Sequence, residues 1–186
     1  MRALNLTNNS TENKRRELDF YPTPPEVTHA LMCFLKLKPQ SMWEPACGNG
    51  AMAEVLKTHG HNVLSTDLRE TGYGTSKLDF LVEKRECDAI ITNPPFSISE
   101  EFIRHALSQT EIVAMLLKSQ YWHAKKRVAL FNESPPAYVL PLSWRPDFLG
   151  EERRNKDKKN SPVMEVCWTV WLPGDTNTKY RILNRK

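Results

Sequence analysis

Asp88-Ala89-Ile90-Ile91-Thr92-Asn93-Pro94-Pro95-Phe96 decides how this chain is read. The first five residues form an apolar run that reads as a buried strand of a parallel sheet, and the last four sit where that strand ends. In open α/β sheets ligands bind outside the carboxyl ends of the strands, so this loop is the first place to look for chemistry. The Asn93 side-chain oxygen can accept a hydrogen bond from an exocyclic amine. Pro94 and Pro95 fix φ at two consecutive positions and pre-set the loop, so that a backbone carbonyl points the same way as the Asn oxygen. Phe96 offers a face to a planar ring. Asn-Pro and Pro-Pro are also ordinary turn punctuation, and a plain connector is the alternative. What precedes the loop argues against that alternative.

Residues 41–45 are short and apolar around Met42 and Trp43, and run into Glu44-Pro45-Ala46-Cys47-Gly48-Asn49-Gly50 before a helical pattern over 51–59. This is a strand, a glycine turn and a helix. The glycines let backbone approach a ligand, while the helix start supplies unpaired N–H groups and a positive dipole end. A lone Gly-x-Gly occurs in many turns. The second strand, 62–66, ends at Asp67, roughly the ~20-residue step after the glycines at which an acidic side chain reaches a ribose hydroxyl pair. Turn and acid together say more than either alone; by itself Asp67 reads as a strand-end turn residue. Gly72-Tyr73-Gly74 then breaks the chain, and a short apolar segment over 78–81 is interrupted by Asp79. Two readings stay open there. Either Asp79 accepts from an adenine amine while Phe80 covers the ring, or Phe80 and Leu81 are core and Asp79 is merely exposed.

Outward from these pieces, residues 1–18 are rich in Asn, Thr, Lys and Arg without periodicity, and read as a flexible basic arm. Thr23-Pro24-Pro25-Glu26 is a helix start, with Pro in the first turn and Thr23 as the expected cap; Val27, Leu31, Phe34 and Leu35 form its apolar stripe. Downstream, a helix is expected from about Glu100 to Ser108, a strand buried on both faces over 111–117, a helix over 121–131 carrying Lys125, Lys126 and Arg127, and strands over 137–140 and 166–172. The three bases read as a DNA-facing surface or as a solvated helix face. Between the last two strands lie Trp144-Arg145-Pro146-Asp147-Phe148 and a charged loop over 151–159, with three acids and five bases. That loop reads either as a straddle of a phosphate backbone or as a plain hairpin tip.

Composition bounds the possibilities. A chain of 186 residues, 40% hydrophobic and 26% charged, fits one domain with a sizeable core over 19–186. No apolar run approaches the ~18 residues needed to cross a membrane, and the first residues do not read as a secretory signal. Cys33, Cys47, Cys87 and Cys167 have no paired spacing, which argues against a zinc site or a disulfide framework and for a reducing cytoplasm. A net charge of +4 is compatible with a nucleic-acid partner without demanding one.

In order, Thr23 to Glu26, Glu44 to Gly50, Asp67, Asp79-Phe80 and Asn93 to Phe96 resemble the amino-methyltransferases that act on the N6 of adenine in DNA, in the gamma order of motifs. The resemblance spans residues 23 to about 172. It implies an α/β fold of the Rossmann-like class I methyltransferase type: a seven-stranded, mostly parallel sheet with an antiparallel last strand and helices on both faces. It further implies S-adenosylmethionine as cofactor and no metal. Thr23 and the turn with Glu44, Pro45, Ala46, Gly48 and Gly50 would hold the methionine part, Asp67 the ribose, and Asp79 with Phe80 the adenine. Asn93 and the Pro94 carbonyl would hold the target amine, with Pro95 shaping the loop, Phe96 stacked on a flipped base and Phe148 packing on its other side. Arg145 is a candidate contact to the substrate, expected to be double-stranded DNA. Members of the restriction type carry a long target-recognition region that this chain has no room for, so site choice, if any, falls to the 144–159 region, the N-terminal arm, or a partner protein or second copy, and low specificity is an equal alternative. Methyltransferases of an RNA base amine or a protein glutamine amide share the loop and stand as rivals. So does an inactive cofactor-binding adaptor, although a dead copy has no need of both the turn and the loop.

Overall fold

The computed structural model describes residues 22–38, 40–148 and 164–185. The expected basic arm and the charged loop over 151–159 lie outside the described residues. The elements run α1 (Pro25–Leu35), β1 (Ser41–Glu44), α2 (Ala51–Thr58), β2 (Asn62–Asp67), β3 (Thr75–Ser76), β4 (Ala89–Thr92), α3 (Ser99–Leu107), β5 (Ile112–Lys118), α4 (Val128–Glu133), β6 (Tyr138–Pro141), β7 (Val166–Trp171) and β8 (Lys179–Tyr180). One sheet joins the strands in the order β3-β2-β1-β4-β5-β7-β6-β8. Strands β1 to β5 pair in parallel, and β7 lies antiparallel between β5 and β6. The 166–171 strand is therefore antiparallel as expected, but it is not the last. Two-residue β8 follows it, pairs in parallel with β6 and brings the count to eight.

Period-two side-chain alternation divides the core into two layers. On one face, Met42, Ile91, Leu116 and Trp168 meet Val27 and Leu31 of α1 and Met52 and Leu56 of α2. On the other, Trp43, Ile90, Met115 and Trp171 meet Phe102 and Ile103 of α3 and Leu130 of α4. Each fully buried side chain of this size contributes about 1.5–3 kcal/mol through area removed from water. Two indole N–H groups buried by this packing find oxygens: Trp43 donates to Thr66 Oγ1 at 2.9 Å and Trp168 to the Val27 carbonyl at 3.1 Å.

Two local expectations are corrected. The helix over 121–131 breaks into two short 3-10 turns before α4. Within this stretch half-buried Arg127 donates to the Tyr121 carbonyl at 2.8 Å and stacks 3.5 Å over the Tyr121 ring, so its guanidinium is engaged with the protein, while Lys125 and Lys126 are exposed. At the other end of the chain, Thr23 does not cap α1. Pro24 occupies the cap position without a side-chain bond, and the Thr23 hydroxyl is used elsewhere.

Candidate active site

The carboxyl ends of the parallel strands open into one cleft. From β1 and the turn after it come Glu44, Pro45, Ala46, Cys47 and Gly48; from β2, Asp67; and from the crossover that follows, Asp79 and Phe80. Strand β4 supplies Asn93 and Pro95, and Thr23 completes the wall from the segment ahead of α1. Nearly every residue singled out from sequence for cofactor binding thus meets Asn93 in a single space.

The turn is built by backbone that only glycine adopts readily. Gly48 and Gly50 have φ of 54° and 82°, left-handed values costly for a side chain with a Cβ. Gly50 is the N-cap of α2 and, unlike its neighbours, does not line the cleft. The turn is fastened at both ends: Cys47 N–H donates to the Thr66 carbonyl at 3.0 Å and Gly50 N–H to the Cys47 carbonyl at 2.8 Å. Asp67, 2% exposed, accepts from Gly48 N–H at 2.9 Å and from the Arg69 backbone and guanidinium at 2.8 to 3.1 Å. The acid expected to meet a ribose therefore also braces the glycine turn. Arg69, which shares the cleft wall, was missed in the sequence; a base two residues after the strand-end acid was the signal.

Glu44 is the most revealing group. It is 2% exposed, and its Oε2 is buried without a hydrogen-bond partner. Burial pushes its carboxyl well above the usual range; the Ala53 backbone N–H pulls the other way, and the Asp67 charge pushes it further up. A buried acceptor at a cleft wall with no donor of its own asks for a donor from a ligand. Cys47 is poorly suited to act as a nucleophile, because burial and the charges of Glu44 and Asp67 push its thiol up to about 12.

Phe80 is packed as core and Asp79 is exposed, as the second reading has it, and both line the cleft. Phe80 is 2% exposed, edge-on to Trp43 at 5.0 Å and tilted against Phe102 at 4.7 Å, yet it forms part of the cleft wall. Asp79 is exposed; its Oδ1 accepts from Leu81 N–H at 3.0 Å and shapes the turn. Leu68, Ile98 and Phe102 also line the cleft, and no sequence signal set them apart from core residues.

At the β4 tip, Asn93 Nδ2 donates to Thr23 Oγ1 at 3.1 Å. The Pro95 carbonyl accepts from Ile98 N–H and from the Ser99 hydroxyl, both at 3.1 Å. Pro94 is buried. Phe96 lies outside the cleft wall, with Lys118 Nζ from the β5 tip 4.3 Å from its ring centroid. Two expected substrate contacts stand apart from the cleft. Phe148 is 7% exposed and packs in the α1-side core. Arg145, on the surface, is paired with Glu165 at 2.8 Å.

Among the described residues no cluster of three or more metal-ligating side chains occurs, and no helix is long and apolar enough to cross a membrane.

No protein-family model matches the chain, and no curated protein does. Solved structures are similar in fold at low identity. The methyltransferase subunit of a type I restriction-modification system from Streptococcus thermophilus superposes with a TM-score of 0.66 at 13% identity, over 87% of this chain and 47% of that one. A putative RNA methyltransferase from Pyrococcus horikoshii gives 0.59 at 11% identity, over 79% of this chain and 82% of that one. Magnesium protoporphyrin IX methyltransferase from Synechocystis, solved with S-adenosylmethionine bound, gives 0.53 at 13% identity, over 92% and 86%. This chain spans about half the length of the restriction-modification subunit. Strand order, the antiparallel β7 and these likenesses together identify the fold as the Rossmann-like class I methyltransferase fold.

Proposed function

We propose that the chain is an S-adenosylmethionine-dependent methyltransferase, that residues 19–186 form its one domain, and that its acceptor is the N6 amine of adenine in DNA. The observation that carries this reading is that Asn93, the Gly48 turn and Glu44, whose Oε2 has no hydrogen-bond partner, line one cleft. The cofactor's chemistry fits these residues. A methionine ammonium would give Glu44 Oε2 the donor it lacks, the turn and α2 start suit a carboxylate, and Asp67 would take the ribose hydroxyls.

Bound there, the cofactor supplies an electrophilic methyl on a sulfonium, and no side-chain nucleophile is needed. The acceptor amine is a poor nucleophile because its lone pair is delocalised into the ring. Thr23 takes an N–H of the Asn93 amide, which orients Oδ1 as an acceptor of the amine's proton. The Pro95 carbonyl is committed to Ile98 and Ser99; by the likeness to the adenine-N6 methyltransferases, the Pro94 carbonyl would be the second acceptor. Two fixed acceptors favour a pyramidal nitrogen and stabilise the positive charge that grows on it, which is electrostatic preorganisation; the loop and cleft walls supply orientation. Phe96 gives the base a stacking face, and Lys118 beside it favours a phosphate-bearing acceptor over a peptide amide. An adenine paired in a duplex must leave the stack to reach this loop.

Labelled S-adenosylmethionine offered with duplex DNA, single strands, RNA and protein, followed by digestion of the product, tests both parts. Label in N6-methyladenine from DNA is expected. Label in RNA or glutamine moves the acceptor to that class, and cofactor binding without transfer to any of them makes the chain an adaptor. Asn93→Ala is expected to lower transfer by roughly 10²–10³ while cofactor affinity stays within about twofold; near wild-type turnover would refute the catalytic role of Asn93.

A further inference from the structure

After β2 ends at Asp67, residues 68–74 bend back so that residues 75–76 rejoin its edge, and two glycines shape the path. Gly72 and Gly74 have φ of 78° and 66°, and a Cβ on Gly74 would stand 2.5 Å from the Ser65 carbonyl oxygen. Thr75 and Ser76 then pair with Thr66 and Asp67. Tyr73, between the two glycines, is carried across the start of α2. Its ring lies directly on Gly50, close enough that a Cβ built there would be 2.4 Å from a ring carbon.

The phenol is held from the exposed side of α2. Lys57 Nζ donates to the phenol oxygen at 2.8 Å and to Glu54 Oε1 at 2.9 Å, and the phenol donates to the same Glu54 oxygen. The Tyr73 carbonyl accepts from Cys47 Sγ at 3.6 Å. One residue therefore touches both ends of the 47–50 turn without itself lining the cleft. Exposed ion pairs such as Glu54 with Lys57 contribute little to stability, so the arrangement needs another explanation. Glycine visits positive and negative φ with nearly equal ease. A turn with two of them, left alone, loses conformational entropy each time it closes on a ligand; a ring packed over Gly50 removes that freedom in advance.

We infer that Tyr73 is a positioning residue for the glycine turn: its ring, clipped by Glu54 and Lys57, holds the Cys47 to Gly50 backbone in the conformation that receives the cofactor. The inference rests on the cofactor reading above, but the rigidity of the turn can be measured without it. Tyr73→Ala is expected to weaken S-adenosylmethionine binding about tenfold or more and to raise its KM in step. The acceptor KM and the kcat at saturating cofactor should stay within about twofold. Tyr73→Phe, which keeps the ring and loses only the phenol bonds, should restore affinity to within about threefold. In the ligand-free protein, hydrogen exchange at the amides of Gly48, Asn49 and Gly50 should speed up in the Ala variant and not in the Phe variant.

Wild-type affinity and wild-type exchange in Tyr73→Ala would overturn the inference, as would an acceptor KM rising as much as the cofactor KM. Should the Ala variant not fold, Tyr73→Leu takes its place. Leu covers Gly50 with a smaller, mobile group and should weaken binding several-fold, and affinity equal to wild type in that variant overturns the inference equally. If the wild-type protein itself takes up no S-adenosylmethionine, the cofactor reading fails, and the exchange comparison still decides whether Tyr73 holds the turn.

Discussion

Asn93 and Thr23, 70 residues apart in the chain, share a hydrogen bond at 3.1 Å, with the Asn93 amide donating to the Thr23 hydroxyl. Thr23 is 5% exposed, and the bond orients the Asn93 amide at the cleft wall. Thr23→Val keeps the shape and removes the acceptor, so the amide can rotate. Transfer is expected to fall about tenfold or more, with cofactor affinity changed less. Thr23→Ser should recover most of the rate. Single-turnover measurements on the two variants check this, and a Val variant as fast as the Ser variant would contradict it.

Glu44 gives cofactor binding a pH dependence of definite sign. Burial raises its folded-state value above the ordinary 4.5, so the folded protein holds that proton more tightly than the unfolded chain. The associated stability is full below 4.5 and is lost as pH rises from there through the raised value. A bound ammonium favours the carboxylate and reverses the preference. Binding should therefore release a proton, and affinity should climb with pH across that same window. Calorimetry in buffers of different ionisation enthalpy reads the proton directly. Glu44→Gln should abolish the release, weaken binding and, at pH 8, raise the Tm by a few degrees, since about 1 kcal/mol corresponds to roughly 2–4 °C at this size.

Lys118 packs over Phe96, and among the described residues no carboxylate pairs with it. Lys118→Ala should weaken nucleic-acid binding several-fold and lower the slope of log affinity against log salt by about one unit. S-adenosylmethionine affinity should not change. An unchanged slope in fluorescence-anisotropy titrations would remove Lys118 from the acceptor side.

Trp168 is wholly buried and donates to the Val27 carbonyl. Trp168→Ala opens a cavity and leaves that carbonyl without its partner, and is expected to cost about 3–5 kcal/mol, read from chemical denaturation. Trp168→Phe loses the hydrogen bond and less volume, and should cost clearly less.

The parts legible in the sequence were those set by neighbours along the chain. The glycine turn, the acid at the end of β2, the four-residue loop after β4 and the longer strands β1, β2, β4, β5, β6 and β7 follow from local period and local backbone demands; two-residue β3 and β8 do not. What escaped depends on residues far apart. Thr23 looks like a helix cap because its immediate surroundings suit one; its hydroxyl goes instead to a side chain on β4. Tyr73 looks like a chain break between two glycines, and its role becomes visible only when α2 brings Glu54 and Lys57 to its phenol. Phe148 matches an aromatic position by order, yet it is buried in the core layer that also holds α1 and α2. The 121–131 segment has helical content, but it makes two short 3-10 turns before α4, where Arg127 folds back on Tyr121.

Strand β7 lies between β5 and β6 with all six of its residues buried, although it is made after both. A ribosome therefore delivers the turn, the loop and almost every cleft residue well before the strand that fills the gap in the sheet. Until β7 has emerged, β5 carries an open backbone edge and the Val27 carbonyl waits for the Trp168 indole. The nascent chain must keep that edge from pairing with other chains, which makes the interval between the emergence of β5 and of β7 the period in which this protein most needs a chaperone.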